Sequence, residues 1–103
     1  MAVDLTTVST SPYVDVITLG LANVATRVDL PTQHMASVSV QFRANAGKVA
    51  WGGTDGAAVS ADHNQIAADT FVEYKMAADR SKRAASIYLA SATGSTVVEV
   101  EIE

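Results

Sequence analysis

The segment ASVSVQFR, residues 36–43, alternates apolar with polar residues, and this period of two constrains the chain more than any other feature. Val38, Val40 and Phe42 fall on one face, with Ser37, Ser39, Gln41 and Arg43 on the other. That is the pattern of a half-buried strand, in which successive side chains point to opposite sides. The same period recurs along the chain. In NVATRVDLP, Val24, Thr26, Val28 and Leu30 oppose Arg27 and Asp29 until Pro31 ends the run. YVDVITLG is rich in β-branched residues and stops at Gly20. KVAWGG puts Val49 and Trp51 together, and AASIYLAS puts Ile87 with Leu89. TVVEVEIE sets Val98, Val100 and Ile102 against Glu99, Glu101 and Glu103. TFVEYKM has Val72, Tyr74 and Met76 on one face and Phe71 on the other, so one of its faces is an interface or a second core side.

Turn residues punctuate these runs. Asn45 and Gly47 in NAG accept positive φ, which predicts a tight hairpin turn with KVAWGG as the returning strand. ATGS, residues 92–95, predicts a second hairpin joining the last two strands. A helix over MAADRSKRAASIYLA is the competing reading, ranked second because SIYLAS suits that hairpin. Seven short antiparallel strands result, or eight with AAVSA at 57–61. Such spacing predicts an all-β fold, a single β-sandwich or jelly-roll-like domain over residues 13–103. Residues 1–12, rich in Thr, Ser and Val and ending in Pro12, read as an extended N-terminal arm. Its Val3, Leu5 and Val8 are too many for a purely solvated tail, so the arm reads either as one that orders on a neighbour or, equally, as a frayed terminus. Its removal is expected to leave the fold intact.

Composition narrows the function. Charged residues are 17% of the chain, below the ordinary share of about 25%, which suits a chain that buries surface against partners. The net charge of −4 argues against a nucleic-acid binder, which needs a basic face. With no cysteine, disulfides, thiolate catalysis and cysteine-ligated zinc are excluded, and folding in a cytosol is suited. MAVDLTTVSTSP has neither the basic nor the apolar region of a secretory signal, and no apolar run approaches the roughly 20 residues that span a bilayer.

Candidate chemistry is sparse. GGTDG, residues 52–56, lacks both phosphate-binding glycine patterns and no helix start follows, so it reads as a turn. In ADHN, Asp62, His63 and Asn64 are chain neighbours that diverge, which favours a turn over a metal site. No G-x-S-x-G and no nucleophile–base pattern occurs, so no enzymatic activity and no cofactor are expected. RSKR, residues 80–83, holds three of the seven basic residues. It reads first as a solvated loop and second as a contact for an acidic partner surface or a phosphate. Glu99, Glu101 and Glu103 either guard an edge strand or meet cations across a subunit boundary. Trp51, the single tryptophan, reads as a core or interface anchor, with sugar stacking as the lesser alternative.

The order of these features resembles the small β-sandwich virion proteins of tailed bacteriophages, over about residues 15–103. The closing pair carries the resemblance through Ile87, Tyr88, Leu89, Ser91, Gly94, Val98 and Val100, and the middle through Trp51, Gly52 and Gly53. The chain departs at Asp69, where such proteins carry glycine. The resemblance implies a structural, head decoration (cement) role. It implies a homotrimer that binds the major capsid protein or another virion protein, located in the virion after synthesis in the host cytoplasm. Neither nucleic acid nor membrane is an expected partner. Tail, neck or fibre placement is the nearest alternative, and a carbohydrate-binding module using Trp51 and tyrosines the next. The expected interface comprises Val3, Leu5 and Val8 of the arm, Trp51 of the glycine-rich excursion, and Arg80, Lys82 and Arg83 of the basic loop.

Overall fold

A computed structural model of the chain describes residues 2–8, 12–31, 37–59, 62–75 and 85–103. Among these residues there are nine strands and no helix. They are β1 (Val3–Asp4), β2 (Tyr13–Thr18), β3 (Thr26–Leu30), β4 (Ser37–Phe42) and β5 (Gly47–Ala50), then β6 (His63–Ile66), β7 (Phe71–Lys75), β8 (Ala85–Ser91) and β9 (Val97–Ile102). Sheet 1 has the order β1-β3-β8-β5-β6, and sheet 2 the order β2-β9-β4-β7. All neighbours are antiparallel except β1 and β3. The inward residues of the two sheets form one hydrophobic cluster. Sheet 1 supplies Val28, Leu30, Val49, Ile87 and Leu89, and sheet 2 supplies Val38, Val40, Phe42, Val98, Val100 and Ile102. Each is fully buried. Burying a side chain of this size is worth about 1.5–3 kcal/mol relative to leaving it exposed, which is what holds the layers together.

Neither expected hairpin forms. β4 pairs with β7 and β9 while β5 pairs with β6 and β8, so the 43–46 turn carries the chain from one sheet to the other. The 92–96 turn does the same, since β8 belongs to sheet 1 and β9 to sheet 2. A short turn between two amphipathic runs serves either geometry, because both strands still bury their apolar face. Positive φ at the first turn falls on Ala44 (65°), not on Asn45 or Gly47. Gly47 is a strand residue with a different task. A Cβ there would overlap the ring of Phe42, so glycine leaves the space this largest core side chain fills. At the second turn the Ser91 hydroxyl donates to the Ala46 carbonyl (2.8 Å) and accepts from the Thr93 amide (3.2 Å). The Thr96 hydroxyl donates to the Thr93 carbonyl (2.7 Å), which satisfies the buried polar groups of this corner.

Asp69 sustains the left-handed conformation that a glycine would otherwise supply, at φ 57°. Its amide donates to the Phe42 carbonyl (2.8 Å) and its Oδ1 accepts the Ala44 amide (3.0 Å). The departure from glycine therefore ties the β6–β7 turn to the β4–β5 turn.

The N-terminal residues also differ from expectation. β1 adds in parallel to the β3 edge of its own sheet, with Val3 opposite Val28, and the Leu5 amide donates to the Asp29 carbonyl (2.9 Å). Leu5 is 4% exposed and belongs to the core, with Val3 and Val8 packed against it. A leucine beside an open edge of the core gains more by burial there than by waiting for a neighbour.

Candidate interaction surfaces

The glycine-rich excursion is the long connection between the paired strands β5 and β6, and it folds back over the outer face of sheet 1. Gly53 (φ 145°) lies over the Tyr88 ring, and Gly56 (φ 82°) allows the reversal that follows. The Gly56 amide then donates to the Ala25 carbonyl (2.9 Å), and the Ala25 amide to the Ala57 carbonyl (2.8 Å). Asp55 Oδ1 accepts the Arg27 amide at 2.9 Å. That bond to the Arg27 amide is the largest cause holding the Asp55 carboxyl below its ordinary value. The excursion thus occupies the β3 edge that two-residue β1 leaves open. Its Ala58 and Val59 line a cavity with Ala90, which the strand alternation turns outward yet which is buried. Of the expected eighth strand at 57–61, residues 57–59 are not in a strand and 60 and 61 lie outside the described residues; a strand runs over His63–Ile66, so Asp62-His63-Asn64 enters a strand rather than capping a turn.

Trp51 stands where this excursion begins. Its ring packs edge-to-face on Tyr74 of β7, with centroids 5.4 Å apart and planes at 83°. Asn64 of β6 donates its amide to the Tyr74 hydroxyl at 2.8 Å. β6 and β7 are edges of different sheets. The Trp51–Tyr74–Asn64 group therefore clasps the layers together on one side while leaving Trp51 42% exposed. A groove of about 140 Å³ runs beside it, lined by Val49, Trp51, Asp62, His63 and Asn64.

The outer face of sheet 2 is a second surface. Register sets Val16, Glu99, Gln41 and Phe71 in one row, and Val14, Glu101, Ser39 and Glu73 in the next. Val14 and Val16 on edge strand β2 are 51% and 53% exposed, and Phe71 on edge strand β7 is 61% exposed. Between them lies a groove of about 200 Å³ walled by Phe71, Glu99 and Glu101. Glu99 accepts the Arg43 Nε at 2.6 Å, in a pair exposed enough to contribute only about 0–1 kcal/mol. β9, which carries the glutamates, lies between β2 and β4, so they guard no edge. Edge strand β2 carries Asp15 on its half-buried face, where a charge discourages addition of another strand.

Of the expected interface, Val3, Leu5 and Val8 face the chain's own core and Trp51 belongs to the clasp. Arg80, Lys82 and Arg83 lie outside the described residues. The sequence reading missed Val14 and Val16, although YVDVITLG is apolar on both faces, and it left Phe71 as an unexplained second face. Among the described residues, no group of three or more His, Asp or Glu side chains converges as a metal site, and no helix is long and apolar enough to cross a membrane. Comparison with protein-family models, curated proteins and solved structures finds no match.

Proposed function

We propose that the chain is a non-enzymatic structural protein of a tailed-phage virion, a homotrimeric decoration protein that reinforces the head through repeated contacts with the major capsid protein. The observation that carries this reading is the outer face of sheet 2, where Val14, Val16 and Phe71 stand exposed around an acidic centre. Apolar groups sit on its two opposite edges, β2 and β7. The valines of one copy can meet Phe71 of the next, and a head-to-tail contact of this kind makes a three-membered ring when it turns each copy by a third of a circle. A ring on a symmetric lattice gains avidity from individually weak contacts. The strand orders lend support. β2-β9-β4-β7 facing β3-β8-β5-β6, with β1 as an addition, suits a reading as an eight-stranded jelly roll, an architecture of capsid and lectin domains. The intermolecular contacts expected of the arm and the excursion move to sheet 2, because Leu5 and residues 55–57 are engaged within the chain.

Quantitative mass spectrometry of purified particles of the encoding phage tests the reading. A copy number comparable with that of the major capsid protein is expected. A few copies per particle would move the protein to the neck, tail or fibres, and absence from the particle would refute a virion role.

A further inference from the structure

We propose that the groove beside Trp51 is a saccharide site that takes a single pyranose ring with equatorial hydroxyls. The site does not depend on the virion reading. Three features of one small surface point to it. Trp51 is large, apolar and 42% exposed, and its orientation is set by the perpendicular contact with Tyr74. An indole so held offers a flat surface to the C–H face of a sugar at little further entropic cost, since it is already ordered. Beside it, Asp62, just before β6, and His63 and Asn64, the first two residues of β6 on its opposite faces, line the same groove. They bring a carboxylate, an imidazole and an amide, groups that together accept from and donate to vicinal hydroxyls. Asn64 is oriented in advance, because its Nδ2 donates to the Tyr74 hydroxyl and so fixes the direction of its carbonyl oxygen. The groove, about 140 Å³, is shaped for one ring rather than for a chain of them. An apolar wall with a few convergent polar groups is the general form of a small-molecule site.

A need for closure between the sheets explains the Tyr74–Asn64 bond and the burial of one side of Trp51. It does not call for the exposed remainder of the indole beside the carboxylate of Asp62 and the amide of Asn64. One ring and few contacts imply weak binding, with half-saturation in the millimolar range.

The test is a titration of the full chain with cellotriose and with N-acetylglucosamine, read by tryptophan fluorescence and by the Trp51 indole N–H resonance. Sorbitol, an open-chain polyol, is the control. Saturable shifts with a sugar and none with sorbitol are expected. Asp62→Ala, at an exposed position, should weaken binding several-fold while keeping the wild-type melting curve, and Trp51→Ala, which keeps no tryptophan, should abolish the heat of binding in titration calorimetry. Trp51→Ala also removes the clasp, so the Asp62 variant carries the test should that protein fail to fold. Absence of a saturable shift with both sugars overturns the proposal. Equal responses to sorbitol, or unchanged affinity in Asp62→Ala, overturn it as well.

Discussion

Gly47 and Asp55 are small parts of the chain with measurable consequences. Gly47 is a glycine because the Phe42 ring occupies the space of its Cβ. Gly47→Ala should therefore destabilise the fold by about 1–3 kcal/mol, the usual cost of overpacking, and lower the urea midpoint without changing the slope. Asp55 stabilises through its ionised form, which accepts the Arg27 amide. Its folded-state value lies below the ordinary 3.8, so its contribution is complete above that pH and fades as the pH falls below it. Stability followed from pH 5 downward should fall more steeply in the wild type than in Asp55→Asn, which keeps an acceptor and cannot titrate. Parallel curves would remove Asp55 from the account. These roles were only partly legible. NAG announces a turn, but the residue that takes positive φ is Ala44, because the register of β5 places Gly47 inside the strand opposite Ser91. Asp69, the departure from glycine, gave no sign in sequence that its side chain would reach Ala44.

Strands were legible and their partners were not. Alternation located β2, β3, β4, β5, β7, β8 and β9, and in β3, β4, β8 and β9 the face the pattern marks is the buried one, whereas β2 turns Val14 and Val16 outward. Pairing is a property of turns, and a four-residue turn fits a hairpin or a crossing between layers equally well. Hence the two expected hairpins are crossings. β6 escaped notice because an edge strand of sequence HNQI buries only Ile66 and so lacks an apolar period. β1 was legible as apolar but not as docked. Its consequence can be tested. Leu5→Ala should cost about 2–5 kcal/mol as a core truncation. Removal of residues 1–12 should destabilise at least as much, because it also uncovers the β3 edge. Thermal melts of both variants that match the wild type would contradict the docking.

At the scale of the whole molecule, the sheets leave two kinds of surface. Sheet 1 is covered on its outer side by the β5–β6 excursion, which reaches the β3 edge. Among the described residues none lies over the outer side of sheet 2, and there the exposed valines and Phe71 stand. Composition pointed toward association through its shortage of charge, but could not say where, since Val14 and Val16 resemble core residues until the register of β2 and β9 turns them outward. Association through this face is the central claim, and sedimentation equilibrium of the full chain beside a Val14→Lys/Val16→Lys variant tests it most directly. Both valines are exposed, so the variant should melt within a few degrees of the wild type. The account predicts a wild-type mass three times that of the chain and a monomeric variant. A wild type that stays monomeric at every concentration, or a variant that assembles as the wild type does, would contradict it.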